Sequence, residues 1–159
     1  MCRFDERAVM RLAIQEAIAG VNSGQAPFGC VLVKDGEVIA QSHNTVWQDT
    51  DPTKHAEINA IQIACARLQT IDLSGVEMFC TCEPCPMCYS AAHWARISRI
   101  VFGARIEDAR NAGFNELPIP AQEMNRFNPR PMEIVAGFMA DECRAVFELW
   151  KRQGRSRPY

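Results

Sequence analysis

Two short runs of this chain carry side chains suited to metal and proton chemistry: His55-Ala56-Glu57 and Pro84-Cys85-Pro86-Met87-Cys88. Zinc takes nitrogen and sulfur ligands in a tetrahedron, and three protein ligands leave a fourth position open, as catalytic zinc requires. Cys85 and Cys88 are three apart, so a helical turn sets both sulfurs on one face. In a first helical turn, free N–H groups and the helix dipole favour thiolate over thiol. His55, from a separate segment, completes a three-ligand set for one Zn2+ per chain. Zinc brings the pKa of a bound water near ~7 and makes hydroxide available at neutral pH. Glu57 is the proton shuttle of such a site. In a helix interior it would diverge from His55 by about 200°, but in a first turn both can reach a pocket beyond the helix end. Hydroxide plus a carboxylate shuttle suits hydrolytic attack on an electrophilic carbon.

Two other readings of the same residues compete. Cys82 also forms a Cys-x-x-Cys with Cys85, so His55, Cys82, Cys85 and Cys88 could close a four-ligand structural site without turnover. Against this, Cys82 falls at the end of a strand, before Glu83-Pro84 turn the chain. A redox Cys-x-x-Cys pair leaves His55-Ala56-Glu57 without a task. The chain has 159 residues and 8 cysteines, of which Cys80, Cys82, Cys85 and Cys88 fall together and Cys2, Cys30, Cys65 and Cys143 do not. The start, MCRFDERAV, carries charges where a secretory signal would be apolar, and no apolar run approaches the ~18 residues of a membrane span. The expected compartment is the cytoplasm, where clustered thiols read first as metal-binding or catalytic. A net charge of −2 provides no overall attraction to nucleic acid.

The elements that must position these residues are legible from periodicity. Residues 6–21 have helical apolar spacing, with Asp5 an N-cap. Residues 28–33 and 37–42 are short β-branched runs joined through Asp35-Gly36, a hairpin signal. Residues 43–54 read as a loop and 55–68 as a helix. A strand follows at 76–82, then a helix from Pro86 to Arg96, proline being tolerated in a first turn. Residues 98–103 form a strand, 107–112 a short helical piece, and 114–131, with four prolines, a long connection. A strand at 132–138, a helix at 139–153 and a tail complete the chain. Alternating strands and helices predict an α/β sandwich in a single domain, 1–159.

The motif residues resemble the cytidine deaminase-like zinc deaminases, whose signature is His-x-Glu followed by Pro-Cys-x-x-Cys. Thr50-Asp-Pro-Thr-Lys-His55-Ala-Glu57 and Cys82-Glu-Pro-Cys85-Pro-Met-Cys88 resemble the two halves of that superfamily's site, and the likeness covers essentially the whole chain. It implies a three-layer α/β/α sandwich with a five-stranded mixed sheet, usually in a homodimer. Within the superfamily, Pro27-Phe28-Gly29, Trp94-Ala95-Arg96, Ala112-Gly113-Phe114 and the terminal Arg157-Pro158-Tyr159 resemble the bacterial guanine deaminases of purine catabolism. That resemblance implies conversion of guanine to xanthine and ammonia. It implies base contacts from Asn44, pocket walls from Phe28, Trp94 and Phe114, and a second proton-moving acid in Glu116. It further implies that the tail, 154–159, is swapped onto a partner subunit so that Tyr159 caps the site. Asn115-Glu116 departs from the two aspartates usual there.

A second branch, the tRNA adenosine deaminases that make inosine at the wobble position, is similar at Arg99–Arg105 and Gly137–Cys143. Lys151, Arg152, Arg155 and Arg157 would supply the phosphate contacts that branch needs, or simply end a solvated helix. The near-neutral charge favours a small purine or related aminated heterocycle over tRNA. Among the remaining residues, His43 reads as an exposed strand-end histidine, His93 as a packing or surface group, Trp150 as packing on the sheet or at a dimer contact, and Cys30, Cys65 and Cys80 as packing thiols.

Overall fold

The computed structural model describes residues 4–159. Cys2, expected as an unclustered thiol, lies outside the described residues. The first helix, α1 (Glu6–Asn22), starts where Asp5 Oδ1 accepts hydrogen bonds from the Arg7 and Ala8 amides at 3.0 and 3.2 Å. It satisfies N–H groups that have no partner within the helix. β1 (Gly29–Lys34) and β2 (Glu37–His43) form the expected antiparallel hairpin. Its turn residues Asp35 and Gly36 have φ of 51° and 82°, the paired left-handed geometry that matches strand twist. Then follow α2 (Val46–Asp49), α3 (Ala56–Leu68), β3 (Val76–Cys82), α4 (Pro86–Trp94), β4 (Arg99–Ala104), α5 (Ile106–Asn111), α6 (Ala121–Asn125), β5 (Glu133–Ala136) and α7 (Ala140–Arg152).

The five strands form one mixed sheet in the order β2-β1-β3-β4-β5. β1 is antiparallel to both its neighbours, whereas β3, β4 and β5 run parallel. The parallel strands demand helical crossovers, which α4 and then α5 with α6 provide. α1 packs on β1, β2 and β3 and touches α7, while α3 packs on β1 and β2 and touches α4. The result is the expected α/β sandwich with a five-stranded mixed sheet. β1, β3 and β4 are buried almost throughout, as central strands covered on both faces must be. No helix among the described residues is long and apolar enough to cross a membrane.

The parallel arrangement sets the chemistry at one end of the sheet and a charge cluster at the other. At the start of β4, Arg99 is buried and pairs with Glu77 at 2.6 Å, Glu133 at 3.0 Å and Glu6 at 3.2 Å. Its neighbours on β3 and β5 are Glu77 and Glu133 by register. A buried guanidinium is tolerable there because these carboxylates use its donors.

Two elements arise where loops were expected, both from contacts that are distant or side-chain mediated. α2 lies within 43–54 and begins after Asn44, whose Oδ1 accepts from the Val46 amide at 3.1 Å. α6 lies within 114–131, and its first amide, Ala121, donates to the Glu83 carboxylate at 2.9 Å. α4 stops at Trp94 rather than Arg96, because Arg96 takes a left-handed conformation with φ of 62°.

Gly29 opens β1 directly beneath α1. A Cβ there would stand 2.0 Å from the Ala13 carbonyl oxygen and 2.7 Å from the Ala17 nitrogen. Both are helix backbone and cannot rotate aside. Gly29→Ala is therefore expected to cost about 1–3 kcal/mol through displaced packing. Urea unfolding should show this as a lower midpoint with an unchanged slope. An unshifted midpoint would mean that α1 moves off the sheet freely.

Candidate active site

His55 and Cys85 are the N-cap residues of α3 and α4. Both take extended backbone angles, so their side chains project off the helix ends towards each other. Cys85 follows the end of β3 after the two residues Glu83-Pro84, and Pro86 occupies the first helical position, where its missing N–H costs nothing. Cys88 falls one turn later on the same face. His55 Nδ1 lies 3.6 Å from Cys85 Sγ and 3.5 Å from Cys88 Sγ. A tetrahedral centre with ordinary zinc–nitrogen and zinc–sulfur bonds separates such donors by about 3.6 Å. These three residues are the one group of potential metal ligands among the described residues whose donor atoms all converge. The set fits zinc in donor type, number and spacing.

Cys82 does not join the group. Its sulfur turns to the Arg105 carbonyl oxygen at 3.5 Å, and burial pushes its thiol well above the ordinary value. The four-ligand structural reading therefore lacks its fourth ligand. Cys80 faces Cys30 across β1 and β3, with sulfurs 3.9 Å apart.

Burial and hydrogen bonding divide the charge unevenly among the donors. A hydrogen bond from Cys88, with His55 beside it, holds the Cys85 thiol down at about 4 against the effect of burial. Burial and that same hydrogen bond push Cys88 well above its ordinary value. The hydrogen bond between the two sulfurs favours a single negative charge on the pair, with Cys85 pulled down and Cys88 pushed up. Burial opposes charge on His55, but its hydrogen bond to Cys85 and the nearby Glu57 carry it above the usual imidazole value.

Glu57, in the first turn of α3, is buried, and its Oε2 stands 3.5 Å from Cys88 Sγ. Burial pushes its carboxyl up to about 7, against the pull of His55. A carboxyl that gains and loses a proton near neutrality suits general acid–base work. It shares a cavity of about 10 Å3 with Phe28, His55, Cys82, Glu83, Cys85 and Glu116, room for a single water. Outside lies a cleft of about 340 Å3, whose walls include His55, Cys85, Glu116, Leu117 and Tyr159.

The other expected residues divide. Glu116 lines both cavity and cleft, and burial raises its carboxyl above the ordinary range. Tyr159 reaches the site of its own chain. Its hydroxyl accepts from Asn44 Nδ2 at 2.6 Å, its carbonyl oxygen accepts from the Asn115 amide at 2.9 Å, and its ring centroid lies 5.6 Å from that of His55. Asn44 is fully buried, with its oxygen engaged by Val46 and its Nδ2 facing the tail. Phe114 packs edge-on against Phe28 at 4.9 Å and Tyr159 at 5.3 Å and stacks on Trp150 at 5.1 Å. Phe114 thus stands behind the pocket and supports it.

Trp94 corrects an expectation. It is 80% exposed and lies in a separate groove with Tyr89, Met124 and Phe127. Six residues past Cys88 is about 9 Å along the helix and on another face, so Trp94 does not wall this cleft. His43 also differs, being half-buried and paired with Glu16 at 3.2 Å.

Sequence reasoning passed over three supporting residues. Glu83 is buried, and its carboxylate accepts from the Ile106 and Ala121 amides at 3.2 and 2.9 Å, fastening α5 and α6 to the end of β3. Asn59 bridges the His43 carbonyl and the Thr45 hydroxyl at 3.1 and 2.9 Å. Thr81 accepts from the Gly29 amide at 3.1 Å. The one sequence signal was an acid, Glu83, inside a run, 78–92, with no other charged residue.

Comparison with known proteins agrees with this geometry. Residues 4–104 match the family model described as the cytidine and deoxycytidylate deaminase zinc-binding region. Guanine deaminase of Bacillus subtilis is 42% identical over 127 residues, 76% of this chain and 81% of that protein. The tRNA-specific adenosine deaminase of the same organism is 36% identical over 148 residues, 93% of this chain and 89% of that protein. A solved guanine deaminase from Nitrosomonas europaea superposes with a TM-score of 0.87 at 27% identity, covering 96% of this chain and 87% of its own.

Zinc binding must displace the proton of Cys88, and that of His55 when it is charged. Both groups are raised, so protons compete harder as pH falls. Apparent zinc affinity, read by competition with a chromophoric chelator, should drop about tenfold or more for each unit of acidification below neutrality. A flat profile would exclude these donors.

Proposed function

The chain belongs to the cytidine and deoxycytidylate deaminase zinc-binding family, and on that premise we propose that it hydrolyses guanine to xanthine and ammonia. That it is a zinc-dependent hydrolytic deaminase rests on the family match and the His55, Cys85 and Cys88 donor set. The likeness to guanine deaminases supports guanine, and the cleft beside those donors supports a free base over a macromolecule. Its volume of about 340 Å3, with Tyr159 docked across one side, suits a single heterocycle. The seven described cysteines are free thiols, in keeping with a reducing cytoplasm.

Zinc held by His55, Cys85 and Cys88 supplies a Lewis acid that makes water nucleophilic at neutral pH. The chain's own groups do the rest. Glu57 takes one proton from the attacking water and delivers it to the ring nitrogen, then takes the remaining proton of the hydroxyl added to the carbon and passes it to the amine, which departs as ammonia while the carbonyl forms. Its raised carboxyl lets it serve as base and then acid in one turnover. Asn44, its oxygen held by Val46 and one N–H given to the Tyr159 hydroxyl, keeps its second N–H for an acceptor on the base. Phe28 closes the inner wall. Glu116, between cavity and cleft, is the second proton-moving acid.

A second reading, adenosine in the tRNA wobble position, draws on the exposed Arg152 and Arg155 at the end of α7. Lys151 is paired with Glu148, and Arg157 is stacked on Trp47, which leaves fewer cations for phosphate.

Glu57→Ala should keep its zinc and lose about 10²–10⁴-fold in ammonia release from guanine. Metal analysis and an ammonia assay over guanine, cytosine, adenine and aminotriazines measure both. Retained turnover would remove Glu57 from the mechanism. A preference for another base would remove guanine, and a specific tRNA gel shift would favour the second reading.

We further place the chain in a homodimer with 154–159 exchanged, making between copies the contacts that the single chain makes with itself. Mixing Glu57→Ala with a chain lacking 155–159, through co-refolding, should then restore activity that neither has alone. The hybrid pairs an intact Glu57 with an intact tail from the other copy. Absence of rescue would locate the tail in its own subunit.

A further inference from the structure

The docked segment 154–159 is held by very little. Residues 154–158 are exposed, and Gly154, with φ of 63°, breaks the chain away from α7. Trp47, on the short helix directly after Asn44, makes three of the contacts that hold it. Its indole Nε1 donates to the Arg157 carbonyl oxygen at 2.8 Å. Its face carries the Arg157 guanidinium 3.6 Å from the ring centroid. Its edge meets the Tyr159 ring at a centroid distance of 6.3 Å. One side chain thus grips a backbone carbonyl, a cation and an aromatic ring of the same segment. Pro158 is guided from the other side, where it lies 3.4 Å from the point a Cβ on Gly113 would occupy.

We infer that Trp47 is a positioning residue whose grip on Arg157 sets how long the tail stays docked, and so how long Tyr159 closes the cleft. The indole is not among the residues that line the cleft. It acts through Tyr159. The indole N–H and the guanidinium stack act on the same residue, so each protects the other from release. Because α2 also follows from the Asn44 turn, the residue proposed to read the base and the one that fastens the lid lie on one rigid piece. This inference rests on the guanine reading for its kinetic arm only.

The test uses Trp47→Leu and Arg157→Ala in the full-length zinc protein, with Trp47→Phe and Arg157→Lys as conservative partners. Trypsin cuts after Arg155 when the tail is free, and mass spectrometry follows the loss of 156–159. Cleavage should quicken about tenfold in Trp47→Leu and Arg157→Ala. It should quicken less in Trp47→Phe, which keeps a ring face, and stay near wild type in Arg157→Lys. On guanine, the same two variants should raise KM about tenfold with kcat nearly unchanged, the pattern of a lost wall that holds substrate and transition state alike. Unchanged cleavage in Arg157→Ala, an exposed position at which folding is not at stake, would overturn the inference. So would a fall in kcat without a rise in KM. If wild type proves inert on guanine, the substrate reading fails, while the cleavage rates still decide the role of Trp47.

Discussion

His55 Nδ1 stands about one tetrahedral edge from two sulfurs, at 3.6 and 3.5 Å, and the rest of the site depends on that spacing. The three atoms come from two helix N-termini that have no sequence proximity. They meet because α3, seated on β1 and β2, packs against α4, and α4 begins just past the end of β3. β3 is held in place by β1 and β4. The close seat of α1 on Gly29 fixes β1, and the Glu83 carboxylate ties the loop after β3 to α5 and α6. A slip of one residue in β3 would turn its side chains to the opposite face and take the sulfurs away from the imidazole.

Charge follows from the same packing. Thiols set together at a helix start in a buried pocket shift in opposite directions, Cys85 down and Cys88 up, because burial resists a second negative charge beside the first. Glu57, taken out of water by the same burial, loses its preference for the ionised form. Elsewhere on the sheet the opposite solution is used. Arg99 stays charged in a buried position because three carboxylates surround it. Burial with strong counter-charge builds structure at one end, and burial with a weaker counterbalance leaves a responsive group at the other.

The cleft is built in two layers with different stiffness. Its floor is made from helices and strands whose side chains are locked, as in the Phe28–Phe114–Trp150 ring cluster and the Asn44–Val46 turn backed by Asn59. Its cover is an exposed segment that touches the floor through a few polar and aromatic contacts. A rigid floor suits the reacting groups, which must stay within a fraction of an ångström of productive geometry. A lightly held cover suits passage of substrate and product.

The chemistry was legible from the chain alone, because metal ligands are constrained by residue type and local spacing: His55, Glu57, Cys85 and Cys88 announce themselves at short range. The strand and helix order was legible for the same reason, since apolar period and Asp-Gly or proline punctuation act over a few residues. Tertiary structure decided the rest. It withdrew Cys82 from the donor set by turning its sulfur to Arg105. It carried Trp94 out of the cleft through the pitch of α4. It formed α6 around the carboxylate of Glu83, 38 residues away. It also brought Tyr159 beside Asn44, across 115 positions. Such pairings depend on where the sheet register and helix packing deliver each side chain, and no local pattern encodes a contact whose two halves are so far apart.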